Sequence, residues 1–235
     1  IGEKVFQSVK GYLEQQGLTD EDLLAATAKA DRILNEIEAM VAKSSSYVNI
    51  AYTPSDLYRL KAEGKKAIML GIENGYAIGK DLKNVERFRR RGVVYMTLCH
   101  NGNNQLCGSC RFNDEGLGVN AFGEEVIHEM NRIGMMVDIS HAGDQTFYDA
   151  LDISTKPIVA SHSSSRALCN HPRNLTDEQL KALAIKGGVA QVTLYNGFLK
   201  EEGKATIQDA IAHLNHMVDV MGIEHVGIGT DFDGD

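Results

Sequence analysis

Short apolar segments alternate with helical patterns along most of this chain, and this alternation is what most restricts its fold. The segments are apolar through most of their length, which is typical of strands that are covered on both faces. Strands that alternate with helices predict a parallel sheet with right-handed crossovers. Six such segments can be counted: "AIMLGIE" (67–73), "VVYMTLCH" (93–100), "MMVDISH" (135–141), "PIVASH" (157–162), "GGVAQVTLY" (187–195) and "VGIGTDF" (226–232).

Between the apolar segments, hydrophobic residues recur at the 3.6-residue period of amphipathic helices. Thr19 is a predicted N-cap, Pro54 lies in a predicted first turn, and Thr176 and Gln179 have the spacing of a capping box. The predicted helices cover 20–42, 82–91, 120–133, 144–153, 176–186 and 206–221, with a further helical stretch from residue 53. Five apolar residues of the last helix are expected to face the core: Ile207, Ile211, Leu214, Val218 and Met221.

Nearly every predicted strand ends in a side chain that can bind a metal or transfer a proton. In a closed barrel these ends meet at one mouth, whereas an open sheet spreads them along an edge. We therefore predict an α/β fold with one domain over residues 1–235, a (β/α)8 TIM-type barrel. Since only six strands can be counted, either the chain lacks the first two strands or the fold is not a complete barrel. The strand-end residues are Glu73, His100, His141, His162, Tyr195 and Asp231.

Composition excludes some classes of function. The 235 residues are 43% hydrophobic, enough for one sizeable core, and the net charge of −8 argues against a nucleic-acid partner. The one dense basic run, "RFRRR" at 87–91, is interpreted as a solvated helix end. No run approaches the roughly 18 apolar residues of a transmembrane segment, so we expect none in this chain, while the sequence leaves localisation open.

Cys107 and Cys110 form the CxxC pair "CGSC" in a polar loop. Such a pair could be half of a structural zinc site, a local disulfide, or two ordinary loop cysteines. No second CxxC accompanies it, and the sequence does not decide between these alternatives.

Glu73, His141 and His162 offer two imidazoles and a carboxylate at three strand ends. This donor set suits Zn²⁺, which in catalytic sites keeps one position open for water. A serine nucleophile beside His162 is not favoured, because "SHSSSR" has neither a G-x-S-x-G turn nor an evident orienting acid. Asp231 is predicted to be a general acid or base. The remaining histidines are interpreted as solvated: His128, His213, His216 and His225.

The motifs "GIENG", "YMTLCHNGNN", "GLGVNAFGEEVIHEMNRIGMMVDISH", "PIVASHSSSRALCNHPRN" and "GIGTDFDG" occur in this order, and together the sequence resembles the renal or membrane dipeptidases, peptidase family M19. The resemblance implies a (β/α)8 barrel like that of the metal-dependent hydrolases, with the first strands and the C-terminal helices missing from this chain. It also implies two Zn²⁺ ions per complete subunit, dipeptide substrates, and hydrolysis by a metal-activated water. Family members are often homodimers.

The resemblance also implies roles for individual residues. Glu73 matches the glutamate that bridges the two zinc ions, and His141 and His162 match ligands of the second zinc. His100 matches the histidine that steadies the oxyanion, and Arg173 the residue that pairs with the substrate's C-terminal carboxylate. Asp231 matches the acid that relays a proton to the leaving amine. Tyr195, at the next strand end, is expected to contact the substrate.

One departure from the family pattern is clear. The family's first strand carries a His-x-Asp pair that completes the first zinc site, and this chain contains no His-x-Asp. This absence leaves open a degenerate barrel that binds metal without catalysis. A second alternative also stays open, because the same kind of barrel and metals could serve another metal-dependent amidohydrolase or deaminase.

Overall fold

Eight short strands form two parallel sheets within residues 17–232, the part of the chain that the computed structural model describes. The ends of the predicted domain, residues 1–16 and 233–235, lie outside this range. The smaller sheet pairs β1 (Val48–Ile50) with β2 (Lys66–Ile68). The larger sheet contains β3 (Leu70–Glu73), β4 (Val93–Thr97), β5 (Met136–Asp138), β6 (Val159–Ala160), β7 (Val189–Val192) and β8 (Val226–Ile228).

The helices begin and end close to where the sequence predicts. Thr19 and Thr176 cap their helices through the expected side-chain bonds, and both caps form complete capping boxes. The helices are α1 (Asp20–Lys43), α2 (Pro54–Ala62), α3 (Lys83–Arg90), α4 (Ala121–Ile133), α5 (Asp144–Ile153), α6 (Asp177–Ile185), α7 (Asn196–Leu199) and α8 (Ile207–Met221).

The six strands of the larger sheet lie side by side in chain order, β3 to β8, and each pair is parallel. A doubly wound sheet would reverse its strand order at a switch point, whereas a barrel continues in one direction. The described strands contain no reversal, so the carboxyl ends of β3 to β8 lie along one continuous rim. The core lies between this sheet and its helices, where Phe88, Phe147 and Ile127 are fully buried. Burial of each such side chain stabilises the fold by roughly 1.5–3 kcal/mol.

The first predicted strand, 67–73, is divided between the two sheets. Residues 66–68 pair with β1, and residues 70–73 pair with β4. The sequence did not predict β1, because its three residues are all half-buried and give no period to detect. The side chain that matters for function, Glu73, still ends the strand that enters the main sheet.

The predicted inner face of α8 is partly wrong. Ile207 is 64% exposed and Ile211 is 44% exposed, whereas Ala210 and Met217 are buried. His213, predicted to be solvated, is 1% exposed: its Nδ1 accepts the backbone N–H of Ser165, and its Nε2 lies 3.1 Å from the carbonyl of Leu199. Packing against α6 and β8 selects this face, and the buried imidazole supplies hydrogen bonds that an isoleucine could not.

The other histidines of that group differ among themselves. His128 is exposed beside Glu124, as predicted. His216 and His225 are half-buried and bonded to the carboxylate of Asp177 and the carbonyl of Gly188.

The basic run at 87–91 is not simply solvated. Arg87 pairs with Asp31, and Arg91 contacts Glu38 at 2.8 Å and Asn35 at 2.7 Å. These contacts hold α1 against α3. Arg89 donates to the carbonyls of Tyr52 and Gly134, and Arg90 pairs with Glu86, so all four arginines have partners within the fold.

All four cysteines lie within the described residues as buried thiols, and none of them forms a disulfide. Burial raises the pKa of Cys110 to about 11, and a hydrogen bond with Cys107 together with complete burial raises the pKa of Cys99 well above its usual value. Such thiols stay protonated at neutral pH and are poor metal ligands. The backbone N–H of Cys110 donates to the carbonyl of His141 at 2.8 Å. The CGSC loop therefore supports a strand end rather than forming a disulfide.

No helix within the described range has the length and apolar character needed to cross a bilayer.

Candidate metal centre

Three of the predicted strand-end side chains converge on one point. Oε1 of Glu73 lies 3.1 Å from Nε2 of His141 and 3.3 Å from Nε2 of His162. The two Nε2 atoms are 3.0 Å apart. Ligands of a tetrahedral Zn²⁺ with bonds near 2.0–2.1 Å stand about 3.3 Å apart. The donor types and their spacing therefore fit a zinc ion.

Glu73 belongs to two groups of side chains that could each hold a metal ion. One group is Glu73, His100 and His141, and the other is Glu73, His162 and Asp231; within each group the donor atoms lie within 4.8 Å of one another. Nε2 of His100 is 4.0 Å from Glu73, and its ring centroid is 4.3 Å from that of His141. Oδ1 of Asp231 is 3.9 Å from Nε2 of His162. A carboxylate shared by two groups has the position that a bridging ligand needs.

The charges of these side chains suit metal binding at neutral pH. The contacts with His141 and His162 hold the pKa of Glu73 far below its usual range, more than offsetting the effect of partial burial. Burial lowers the pKa of His141 to about 4; the contact with Glu73 opposes this shift, and the positive charge of Arg173 adds to it. An ionised carboxylate and a neutral imidazole are the forms that coordinate a cation.

The backbone of the rim is strained at the candidate site. Within residues 17–232, three residues other than glycine have a positive φ: Asn74 at 82°, His141 at 68° and Asp231 at 63°. Each such residue costs on the order of 1–3 kcal/mol, and Asn, Asp and His tolerate the conformation best. Two of the three are predicted site residues, and Asn74 follows Glu73 directly. The strain turns the chain sharply where these side chains leave their strands.

Arg173 is 5% exposed, and no carboxylate within the described residues forms an ion pair with it. Its Nη2 donates to the carbonyl of His162 at 3.1 Å, its Nη1 makes a long bond of 3.4 Å to Ser163, and its buried Nε has no acceptor. The guanidinium carbon lies 5.2 Å from the centre of the Phe198 ring. Burial lowers the pKa of Arg173. A buried cation without a counter-ion is a place where an anionic group of a ligand is stabilised.

A cleft of about 1020 Å³ opens over these residues. It is lined by six of the seven predicted site residues: Glu73, His100, His141, Arg173, Tyr195 and Asp231. His162 lines an adjoining cavity of about 560 Å³, together with Glu73 and Asp231. The structure thus brings all seven predicted residues to one end of the sheet. Tyr195 is exposed and stacks on Phe198, with ring centroids 4.6 Å apart.

Sequence reasoning missed several residues of this region. Arg111 and Phe198 line the cleft, but Arg111 lies in a short 3-10 helix (Cys110–Glu115) after β4 and Phe198 in a four-residue helix, so no strand-end position marks them. Asp138 is a carboxylate inside an apolar segment of the sequence. Because buried carboxylates are rare, its position there could have marked it as a candidate functional residue.

The sequence model of the membrane dipeptidase family, peptidase family M19, matches residues 6–235. An uncharacterised dipeptidase of Schizosaccharomyces pombe is 44% identical over 176 residues, which make up 73% of this chain and 42% of that protein. The chain therefore spans less than half the length of this relative.

Solved structures are similar as well. An M19 metallopeptidase named dipeptidase AC aligns with a TM-score of 0.83 and 28% identity, over 87% of this chain and 63% of that one. A metallopeptidase of Rhodobacter sphaeroides, solved with a phosphinate mimic of the dipeptide L-Ala-D-Ala, aligns with a TM-score of 0.77 and 28% identity, over 85% of this chain and 60% of that one. The predicted TIM-type barrel class is confirmed, and parts of the full-length fold are missing from the chain.

Proposed function

The chain belongs to the membrane dipeptidase family, peptidase family M19, and from this premise we propose that the protein is a zinc-dependent dipeptidase. The observation that carries the proposal is the convergence of Glu73, His141 and His162 within 3.0–3.3 Å of one another beside a buried, unpaired arginine. Metal ligands next to a cationic pocket suit a small substrate that has both a scissile amide and a free carboxylate.

We assign Glu73, His141 and His162 to the metal. Bound zinc would supply Lewis acidity, which polarises a carbonyl and lowers the pKa of water. The low pKa of the Glu73 carboxyl keeps that ligand ionised, and the low pKa of His141 keeps its imidazole neutral. Asp231, at the edge of the group, is assigned to carry a proton to the leaving amine. His100, half-exposed in the cleft beside His141, is assigned to stabilise the oxyanion.

Arg173 is assigned to bind the substrate's C-terminal carboxylate. A guanidinium matches both oxygens of a carboxylate, and this one has no carboxylate partner within residues 17–232. Tyr195, exposed at the cleft wall, is assigned to contact the substrate backbone or side chain. An anchor for the carboxylate close to the metal limits the substrate to a short peptide, which favours dipeptides over proteins.

We extend the assignment to two zinc ions per complete subunit, which Glu73 would share, as its match to the bridging glutamate of the family implies. The first site needs ligands such as the His-x-Asp pair, which this chain does not contain. We also propose a homodimer, which size-exclusion chromatography with light scattering would test.

The experiment uses the full-length protein and two substrates, L-Ala-L-Ala and L-Ala-D-Ala, with the mimic-bound relative as the reason for the second. We expect hydrolysis that is lost on chelation and restored by Zn²⁺, with close to two zinc ions per subunit by elemental analysis. Activity that survives metal removal would overturn the proposal. Metal binding without cleavage of either dipeptide would favour a deaminase, another amidohydrolase or a degenerate barrel.

A further inference from the structure

Asp138 is a buried carboxylate directly behind the candidate metal centre. It ends β5, is 0% exposed, and forms no ion pair with any Lys or Arg of residues 17–232. A carboxylate removed from water needs several hydrogen-bond donors. Asp138 has four: the backbone N–H groups of Ser140 (3.1 Å) and Ser161 (2.9 Å) reach Oδ1, and the hydroxyls of Thr97 (2.6 Å) and Ser161 (2.5 Å) reach Oδ2.

The hydroxyl of Ser161 connects this carboxylate to a predicted metal ligand. Its oxygen lies 2.5 Å from Oδ2 of Asp138 and 2.8 Å from Nδ1 of His162. A serine hydroxyl has one proton, and a carboxylate can only accept. The proton therefore points to Asp138, and the oxygen accepts a hydrogen bond from Nδ1–H of His162. A neutral imidazole protonated at Nδ1 has its free lone pair on Nε2, the atom that faces Glu73 and His141.

We propose that Asp138 and Ser161 form a hydrogen-bond relay that holds His162 in the Nδ1–H tautomer and so presents its Nε2 as a metal donor. Asp138 and Ser161 are positioning residues in this relay, because they act on the metal site only through His162. The inference rests on the proposed function, since that assigns His162 to the metal.

The second imidazole of the site lacks such support. Nδ1 of His141 is buried and has no hydrogen-bond partner, and the residue is held through its backbone, whose carbonyl accepts the N–H of Cys110. The two histidine ligands therefore differ, and a change in the relay is expected to act on His162 alone. Mutation of a residue that orients a metal-binding histidine through a hydrogen bond typically lowers metal affinity by about 10–100-fold.

Asp138 also joins the ends of β4, β5 and β6, so a purely structural role has to be separated from the relay. Two single substitutions do this. Ser161→Ala removes the hydroxyl but keeps the backbone bond from Ser161 to Oδ1. Thr97→Val removes a hydroxyl that is bonded to the same Oδ2 at nearly the same length and that makes no hydrogen bond to His162.

The first test measures zinc affinity of the full-length protein by competition with a chromophoric chelator. We expect Ser161→Ala to weaken the site served by His162 by about 10–100-fold and Thr97→Val to weaken it by less than about 3-fold. Ser161→Thr, which restores a hydroxyl, should recover most of the loss. Equal losses for Ser161→Ala and Thr97→Val would mean that the network is only structural and would overturn the relay.

The second test needs neither zinc nor activity. In the metal-free protein, ¹⁵N NMR of the imidazoles reports which nitrogen carries the proton. We expect His162 to be protonated at Nδ1 in the wild type and in Thr97→Val, and to shift towards Nε2 in Ser161→Ala. An Nε2–H tautomer in the wild type would refute the relay. If the protein fails to cleave dipeptides but this pattern is observed, the proposed function fails and the relay stands.

Discussion

Replacement of Arg173 by methionine tests how the proposed site recognises its substrate. Methionine keeps most of the buried side-chain volume and removes the charge and all five N–H donors. Two donors are used within the fold, on the carbonyl of His162 and on Ser163, and each Nη group keeps one further proton. Those two protons can bind the two oxygens of a carboxylate.

The size of the effect follows from that count. Hydrogen bonds to charged groups contribute about 1.5–3 kcal/mol each, so the loss of two costs about 3–6 kcal/mol. At 1.4 kcal/mol per factor of ten, kcat/KM for a dipeptide should fall by about 10²–10⁴-fold. Methionine also leaves the buried carbonyl of His162 without this donor, which costs about 1–3 kcal/mol, and removal of a buried charge offsets part of that cost. We expect the free energy of unfolding to fall by no more than about 3 kcal/mol.

The assay compares a dipeptide with its C-terminal amide, which lacks the negative charge. Wild-type protein should discriminate strongly against the amide, and Arg173→Met should cleave both with similar low efficiency. Arg166→Met is the matched control, because Arg166 lies in the same loop but pairs with Asp144 at 2.8 Å and does not line the cleft. That control should lose stability while keeping the preference for the free acid. If Arg173→Met slows cleavage of the acid and the amide by the same factor, the assignment of Arg173 is wrong.

Two further predictions concern single residues. Glu73→Gln removes the negative charge shared by both metal-capable groups, so the zinc content measured by elemental analysis should fall to one ion or none per subunit. Circular dichroism should show unchanged secondary structure. An unaltered zinc content would exclude Glu73 as a ligand. His213 has its pKa lowered by burial, and its Nδ1 already accepts a backbone N–H, so the unfolded chain takes up the proton first. The contribution of His213 to the free energy of unfolding should therefore be constant above about pH 6.5 and should fall as the pH drops towards the lowered folded pKa. His213→Gln, which keeps one acceptor and one donor, should flatten that dependence in urea unfolding curves; parallel curves for the two proteins would contradict it.

Local pattern was sufficient to predict most helices and where they start, but it missed β1, and the predicted strands after the first extend past the observed strand ends. The helix starts at Thr19 and Thr176 are fixed by contacts three residues apart, so the sequence contains all the information that they need. Glu73, His141 and His162 were identifiable for a related reason: parallel strands of one sheet place their carboxyl ends on the same side, so position along the strand is enough.

Features that depend on contacts between distant segments were not predictable in this way. The inner face of α8 and the burial of His213 depend on what α6, β8 and the Ser165 backbone present to that helix. The division of residues 67–73 between two sheets depends on β1, which lies about twenty residues earlier. In each case the contacting segments lie far apart in the sequence, so the local pattern around one segment does not contain its partner.

By itself, the sequence determined the order of strands and helices, the alternation that makes the sheet parallel, and the residue types at the rim. Only the tertiary structure decided that Nε2 of His141, Nε2 of His162 and Oε1 of Glu73 lie within 3.0–3.3 Å of one another, and that Arg173 is buried without a carboxylate partner among the described residues. It also decided that Ser161 links Asp138 to His162. The physical reason is that hydrogen bonds and metal coordination require atoms to be placed to within a fraction of an ångström. That placement results from the packing of the six strands of the larger sheet with their helices.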